Sequence, residues 1–413
     1  MSKLTLNTLS KEVFEVSGEF DAKVVCNGKE ISRNDLIGTG RLLACEYIGG
    51  KLNQRPTADK YVSRLNEKCD YASLSKQYSD KLFMFCATTA YKAVGKDAPA
   101  SAEKAKRDLS LAKNKTFLAT LAAIAQDVIQ PLIFRVYDDV SAGGLMQWEA
   151  VPFGGTKAID IKSNDVFLFE DSSFGAGRSA SFNTLYGKTL TLNPTAHTAQ
   201  TKIKWYQDVV NGDVGYFFAA IMSGLYNKYY AKFIQALTAA AANTKYIPTG
   251  LTASTYTTSN WNTLTTKVAA VNGVDRTDLV AFGGINQLAK VIPTDGLGAA
   301  ITGLQYGLGE EWFRRGYLPN AAGVQLLETQ PVVVPHTQNS TIDMIGTGTN
   351  IFIAAKAGYG YAPIYGGYYE GTPLTVELTP DITADFTIDT TVTAMFDMKP
   401  VFASKVGVIT NVA

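Results

Sequence analysis

The chain has 413 residues, of which 46% are hydrophobic and 18% are charged, and its formal net charge is +1 at neutral pH. This apolar content is enough for a core and excludes a globally disordered chain, while the length predicts two or three structural units. The charge is uneven: residues 1–120 contain 20 basic and 14 acidic residues, and the remainder contains 18 and 23. The basic first third either lies near polyanions or reflects ordinary fluctuation.

Residues 1–100 have weak periodicity and predict an N-terminal arm or a small irregular subdomain. Their start, MSKLTLNTLSKEVFEV, is polar and lacks the apolar segment of a signal peptide, so we expect no cleaved leader. All the cysteines lie in this region, at Cys26, Cys45, Cys69 and Cys86. Because they form no CxxC pair, a zinc site is disfavoured, and free thiols in a reducing cytoplasm are expected.

A clear helix is predicted after residue 100. Ser101 is its expected N-cap, and Glu103 lies in its first turn. Pro131 is expected to end the helix, because proline lacks a backbone N–H and clashes with the preceding turn. Its apolar positions share one face: Phe117, Leu121, Ile124 and Val128.

Residues 158–205 lose the helical period and predict a long β-hairpin. Polar and apolar residues alternate in its arms, for example at Leu190 and Leu192. Between the arms, DSSFGAGRSASFNTLYG (Asp171–Gly187) is rich in Gly and Ser and predicts a flexible tip.

The stretch GYFFAAIMSGLYNKYYAKFIQAL (Gly215–Leu237) predicts a long buried helix and not a membrane span. Lys228 and Lys232 interrupt the run, and its uncharged part is too short to cross a bilayer. The helix is expected to begin near Asp213 and to continue through Ala242, a rod of roughly 45 Å at a rise of about 1.5 Å per residue. One apolar stripe, expected to pack against other structure, recurs every four residues: Phe217, Ile221, Leu225, Tyr229 and Phe233.

The C-terminal part of the chain predicts short strands and loops. Thr249–Thr266 is rich in Thr, Ser and Asn and is expected to be a surface connection. Leu279–Phe282 predicts a buried strand, which a glycine turn and a short helix follow. YGYAPIYGGYYEG (Tyr359–Gly371) favours packing on a core or a neighbouring subunit over stacking on single-stranded nucleic acid, because it contains no basic residue. The tail from Leu374 to Val412 is rich in β-branched residues and predicts strands.

No catalytic, metal-binding or cofactor-binding site is predicted. His197 and His336 lie in loop-like contexts without the partners of a catalytic triad or a metal site. The GxG pairs do not continue as GxGxxG or as a P-loop, so they are interpreted as turns. Adjacent carboxylates, as at Asp138 and Asp139, point in different directions. Elongated elements without visible chemistry predict an assembling structural protein.

The order of these elements resembles that of the major capsid protein of tailed double-stranded DNA bacteriophages, which has the HK97-like fold. Two stretches are also similar in sequence style. DLVAFGGINQLAKVIP occupies the position of the strand and helix of the axial domain, and DTTVTAMFDMKPVFASKVGVITNVA (Asp389–Ala413) resembles the C-terminal end of such proteins. The resemblance covers the chain from about residue 100 onward.

The resemblance implies an α+β, HK97-like capsid fold with an N-terminal arm, a long hairpin called the E-loop, a spine helix in a peripheral domain, and an axial α/β domain. The implied segments follow the chain: the arm at 1–100, the start of the peripheral domain at 101–157, the E-loop at 158–205, the spine helix at 206–247, the axial domain at 248–373 and the closing peripheral strands at 374–413. The E-loop tip would contact a neighbouring subunit through these residues: Asp171, Phe174, Arg178, Phe182 and Tyr186.

The same resemblance implies partners. Copies of the chain would form pentamers and hexamers and then a closed icosahedral shell around non-specifically bound double-stranded DNA, with a portal and cement proteins as further partners. No cofactor and no membrane are expected. The shell would assemble in the host cytoplasm and belong to the virion. No acidic coiled coil precedes the first predicted helix, so a separate scaffold protein, or none, is expected.

Three alternatives stay open at this point. An encapsulin-like nanocompartment has the same fold and encloses enzymes. A tail-tube or decoration protein would form tubes or bind shells. An enzyme would need a pocket with perturbed titratable groups, which the sequence does not indicate.

Overall fold

The structure, a computed structural model, describes residues 22–26, 28–53, 71–140, 145–162, 187–205, 214–292, 314–329, 331–334, 343–356, 361–371, 373–380, 386–402 and 405–412. The helices are α1 (Arg33–Asn53), α2 (Tyr71–Ala93), α3 (Ala102–Arg107), α4 (Lys115–Val140), α5 (Val214–Ala241), α6 (Thr258–Asn272) and α7 (Ile285–Leu288). Single 3-10 turns cover Leu109–Lys113, Thr249–Leu251 and Arg276–Asp278.

The strands in the first part of the chain are β1 (Lys23–Cys26), β2 (Lys29–Ser32), β3 (Met146–Val151), β4 (Lys157–Lys162), β5 (Gly187–Leu192), β6 (Thr195–Lys204), β7 (Thr252–Ala253) and β8 (Leu279–Gly283). Those that follow are β9 (Asn320–Ala321), β10 (Val324–Glu328), β11 (Val332–Val333), β12 (Met344–Ile345), β13 (Ile351–Ala355), β14 (Ile364–Tyr369), β15 (Leu374–Pro380), β16 (Thr387–Pro400) and β17 (Gly407–Ile409). This mixture of helices and strands confirms the predicted α+β class.

The chain divides into two compact units, each built from three separate segments. The first unit comprises Met1–Asp138, Thr195–Tyr226 and Gly371–Met395, and the second comprises Asp139–Pro194, Asn227–Glu370 and Phe396–Ala413. Along the chain, α5 and β16 each begin in the first unit and end in the second. Contacts between segments that are distant in sequence therefore define both units.

The described part of residues 1–100 forms the β1–β2 pair and the helices α1 and α2, whereas an arm or a small irregular subdomain was predicted. Along α2, consecutive residues from Leu82 to Ala87 are buried, so the helix is covered on several sides and lacks the apolar stripe of a surface helix. On α1, Gly40 packs so closely that a Cβ there would lie 2.5 Å from the Tyr78 hydroxyl oxygen. Close packing of α1 on α2 explains the weak periodicity.

Three aromatic rings form the centre of the first unit. The rings of Phe83, Phe117 and Trp205 lie with centroids 5.3–5.7 Å apart. The indole Nε1 of Trp205 donates to the backbone carbonyl of Lys106 at 2.8 Å. The ammonium of Lys106 lies 5.8 Å from the centre of the Phe83 ring and 2.8 Å from a carboxylate oxygen of Asp80. These contacts fix the end of β6 in the helical core.

Helix α4 continues past Pro131 to Val140, so the prediction that this proline ends the helix was wrong. Proline at position 131 cannot donate to the carbonyl of Asp127, four residues earlier. The guanidinium of Arg41 replaces that donor: its Nε and Nη2 lie 3.2 and 2.9 Å from the Asp127 carbonyl oxygen. Arg33 forms an ion pair with the carboxylate of the same residue. The side chains of α1 thus satisfy the group that the proline leaves unpaired.

We expect Arg41→Met to destabilise the protein by about 1–3 kcal/mol, because it leaves the partly buried Asp127 carbonyl without a donor. Pro131→Ala supplies a backbone N–H for that carbonyl, so Arg41→Met should cost less in the Pro131→Ala background. Urea unfolding of the wild type, both single variants and the double variant measures the coupling, which should be at least about 0.5 kcal/mol. Additive effects of the two substitutions would contradict the conclusion that Arg41 replaces the donor missing at Pro131.

One stretch within α4, Lys115–Ile133, is long and apolar enough to cross a membrane by length and composition, and half of it is buried inside the protein. Phe117, Ile124 and Val128 on this helix are fully buried in the first unit. Packing in this unit accounts for the apolar side of α4.

The second unit contains a six-stranded sheet of strand order β7-β17-β13-β8-β10-β9. Strand β8 is buried along its whole length, as predicted, and pairs in parallel with β10 and antiparallel with β13. One face of this sheet packs on α6 through Trp261, Leu264 and Val268.

Helix α6 lies where a surface connection was predicted, so that expectation was wrong. The Thr257 hydroxyl accepts from the backbone N–H of Asn260 as an N-cap, and Gly273 ends the helix in the left-handed conformation at φ 65°. The Thr265 hydroxyl is buried and donates to the Trp261 carbonyl at 2.8 Å. Threonine-rich composition is typical of loops, but the apolar positions repeat at helical spacing and the polar hydroxyls bond to the helix itself.

Candidate assembly site

Three strands of the second unit form the support on which the predicted functional elements lie. Strand β14 pairs in parallel with β3, from Ile364–Met146 to Tyr369–Val151, and antiparallel with the last residues of β16. Successive side chains on a strand point to opposite faces. One face carries Trp148, Gly366 and Phe396, and the other carries residues such as Glu149, Gly367 and Asp397.

The first face packs against the long helix α5. The Tyr229 ring lies with its centroid 4.1 Å from that of Phe396 and 5.7 Å from that of Trp148, in an edge-on arrangement to the latter. One turn later, Phe233 approaches Phe282 of strand β8 at 6.3 Å between centroids. Helix α5 therefore contacts two sheets of the second unit.

The predicted stripe of α5 becomes more buried toward the end of the helix. Phe217 and Ile221 are half-buried, whereas Leu225, Tyr229 and Phe233 are buried. Burial of aromatic side chains contributes the largest apolar areas per residue, so the later part of the stripe has the larger structural role.

The second face of the sheet holds the base of the predicted hairpin. Strands β4 and β5 pair antiparallel from Lys157–Leu192 to Lys162–Gly187. Their residues Ile161 and Leu192 are buried in one cluster with Val151, Tyr365 and Val401. The hairpin base thus has its own apolar contact with the sheet.

Polar contacts fix the same hairpin base. The Lys399 ammonium donates to the Thr191 carbonyl at 2.6 Å and lies 3.3 Å from a carboxylate oxygen of Asp397. The same carboxylate oxygen of Asp397 accepts a hydrogen bond from the backbone N–H of Asn193 at 3.1 Å. On the opposite arm, Lys157 pairs with Glu149 at 2.8 Å. Each arm is therefore tied to the sheet by at least one charged group.

The hairpin is shorter than predicted at its C-terminal end. Pro194, which lacks a backbone N–H, lies between the end of β5 at Leu192 and the start of β6 at Thr195. Strand β6 (Thr195–Lys204), which the sequence analysis assigned to the hairpin, pairs with β16. The predicted tip residues Asp171, Phe174, Arg178, Phe182 and Tyr186 lie outside the described residues.

The two adjacent glycines of β14 explain the unusual composition of the Tyr- and Gly-rich stretch. A Cβ at Gly366 would lie 2.5 Å from the Trp148 ring and from the Met146 methyl, and a Cβ at Gly367 would lie 3.1 Å from the Leu192 Cβ. Glycine at position 366 therefore makes room for the Met146 and Trp148 side chains of the neighbouring strand β3, and glycine at position 367 lets the hairpin base approach the sheet. The sequence indicated packing in this stretch but could not identify these neighbours.

We expect Gly366→Ala to destabilise the protein by about 1–3 kcal/mol, because the added methyl overpacks the layer between β14 and α5. Gly224→Ala is the matched control. Gly224 is exposed on α5 and has no atom within 4 Å of a Cβ position, so this change should stabilise the helix by up to about 1 kcal/mol. Chemical unfolding measures the free energy of unfolding of both variants, which should change with opposite signs. Equal changes would contradict the close approach of Trp148 and Met146 to Gly366.

The titratable groups of this region are part of the packed structure. Burial and the Glu149 carboxylate raise the pKa of the Tyr365 hydroxyl, so it stays neutral at physiological pH. His197 is on β6, and its ring lies 3.4 Å from the Thr195 hydroxyl; His336 lies outside the described residues. Within the described part of the chain, no group of His, Cys, Asp or Glu side chains is arranged to hold a metal ion.

Comparisons with known proteins found similarity only at the level of solved structures. No family model matches the chain, and no curated protein matches it. The capsid of the cyanophage P-SCSP1u is 12% identical, with a TM-score of 0.42 over 64% of this chain and 86% of that chain. The head of the Helicobacter pylori bacteriophage KHP40 is 8% identical, with a TM-score of 0.45 over 67% and 91%.

A third similar structure is the holo-SrpI encapsulin complex from Synechococcus elongatus, at 12% identity and a TM-score of 0.36 over 65% of this chain and 85% of that chain.

Proposed function

We propose that this chain is a major capsid protein, which assembles into pentamers and hexamers of an icosahedral phage shell that encloses double-stranded DNA. The observation that carries the proposal is the hairpin base. Strands β4 and β5 are fixed to the sheet by a buried cluster and by the charged contacts of Lys157 and Lys399. A base anchored in this way can transmit force from the residues that it carries, 163–186, to the body of the protomer.

The long helix supports the same proposal. Helix α5 contacts two sheets of the second unit through Tyr229 and Phe233. A subunit of a shell that contains DNA under pressure needs such a continuous rigid element. In this proposal the 163–186 segment contacts a neighbouring copy, and the α/β part of the second unit gathers around the five-fold and six-fold axes.

The proposed location is the virion, after assembly in the host cytoplasm with a portal and, where needed, scaffold or cement proteins. The mechanism is structural and involves no bond chemistry. Burial of apolar surface between copies would supply most of the association free energy, at roughly 25 cal/mol per Å² before the entropic costs of association.

Electron microscopy of the purified full-length protein, beside a size-exclusion profile, tests the proposal. Closed polyhedral shells, or rings of five and six copies, are expected. Nuclease-protected DNA in shells from infected or packaging-competent cells supports a capsid, whereas enzyme cargo in the shells supports the encapsulin alternative. Tubes would favour a tail-tube protein. A uniform monomer that stays unassembled on co-expression with neighbouring genes would overturn the proposal.

A further inference from the structure

The exposed face of α5 is unusual in its charge. Going along the helix, one face is lined by Gly224, Lys228, Lys232, Gln235 and Ala239. The glycine, glutamine and alanine are exposed, and the two lysines are half-buried. The two lysine ammonium groups are therefore the charged groups among these five residues.

The two lysines have no compensating acid nearby in the sequence. Residues 214–274 contain four lysines and neither Asp nor Glu. Among the described residues, no carboxylate lies within salt-bridge distance of Lys228 or Lys232, whereas Lys157 and Lys399 in the same unit are paired with Glu149 and Asp397. This helix face therefore presents positive charge only.

The arrangement has a cost for the isolated protomer. Like charges four residues apart on a helix repel each other and destabilise it. Burial, and in addition the neighbouring charge of Lys232, lower the pKa of Lys228. A polyanion bound along this face would remove the repulsion, since each ammonium would neutralise a phosphate.

We propose that the Lys228–Lys232 face of α5 is the surface of the protomer that contacts double-stranded DNA. The inference rests on the proposed function and adds to it the orientation of the subunit: this face of the helix lies toward the packaged nucleic acid. The contact is to phosphates and is independent of base sequence, because lysine on a regular helix face presents point charges. Gly224 and Ala239, which flank the two lysines on this face, are small and leave room for the backbone of the duplex to approach.

The test uses the unassembled fraction of the full-length chain, isolated by size exclusion, and a short labelled DNA duplex of random sequence. Fluorescence anisotropy measures the binding constant at several salt concentrations between about 0.05 and 0.2 M. We expect K228Q/K232Q to weaken binding about tenfold and to reduce the slope of log K against log salt by nearly two, at roughly 0.9 per phosphate contact.

The matched control is K267Q/K290Q, which removes the same charge from two exposed lysines elsewhere in the second unit. Wild-type affinity in this control supports the assignment to α5. Equal weakening in both double variants, or unchanged binding in K228Q/K232Q, would overturn it. Electron microscopy of the three complete preparations, before the unassembled fraction is isolated, separates the two proposals. Shells in all three proteins, with unaltered DNA binding by K228Q/K232Q, refute the DNA-contacting face alone.

Discussion

Removal of residues 171–186, with the ends joined by a short Gly-Ser linker, is expected to abolish shell assembly and to leave a folded, soluble protomer. Gly187 is retained because it pairs with Lys162 at the end of the β4–β5 ladder. The base keeps its own core, in which Ile161 and Leu192 are 1% and 0% exposed. Shortening a loop changes its closure free energy by less than about 1 kcal/mol, so the protomer should unfold near the wild-type midpoint.

Negative-stain microscopy measures the assembly, and circular dichroism measures the fold. An equal-length Gly-Ser replacement of residues 171–186 is the control that separates loop length from side-chain contacts. It should also fail to form shells, because the contacts with the neighbouring copy are made by side chains in this proposal. Normal shells from either variant would contradict the assignment of the hairpin as the element that contacts the neighbouring subunit.

Phe233→Asp should prevent folding of the protomer itself. Phe233 is 2% exposed and packs between Tyr230 and Phe282. The substitution removes an aromatic ring from the core, which alone costs about 3–5 kcal/mol, and adds a carboxylate that has no partner there. The sum approaches the whole stability of a typical domain, about 5–15 kcal/mol.

The control is Gln235→Asp, which places the same charge two residues away on the exposed side of α5. Its effect on the free energy of unfolding should stay within about 0.5 kcal/mol. Soluble expression and urea unfolding compare the two variants. A cooperative transition for Phe233→Asp close to that of Gln235→Asp would refute the role of this helix as a buried element of the second unit.

Local patterns in the sequence were informative about elements that depend on local chemistry. The long helix is visible from the four-residue repeat of Phe217 to Phe233, and the buried strand Leu279–Gly283 from a continuous apolar run. The cap at Ser101 is also local, since its hydroxyl accepts from the backbone N–H of Lys104, but it caps only the short helix α3. The prediction of one continuous helix from this cap was wrong, because α4 begins separately at Lys115. Such features depend only on residues that are neighbours along the chain, so they can be predicted from the sequence without knowledge of the fold.

Features that depend on distant neighbours could not be derived in this way. Pro131 breaks a helix by itself, yet α4 continues because Arg41, 86 residues earlier than Asp127, supplies the missing donor. The composition of α6 is typical of a loop. The segment nevertheless forms a helix, because the sheet covers its apolar side. The charged ties of the hairpin base join Lys399 to Thr191 across 208 positions.

By itself, the sequence determined the class of the fold, the long helix with its apolar stripe and the first two strands of the hairpin, β4 and β5, because hydrophobic periodicity is a property of the chain. Only the tertiary structure decided which face of each element is covered. It assigned Gly366 to the layer beneath α5 and Gly367 to the hairpin layer, and it left Lys228 and Lys232 on a face without a carboxylate among the described residues. These outcomes depend on packing between segments far apart in sequence. A local sequence pattern does not determine the free energy of that packing.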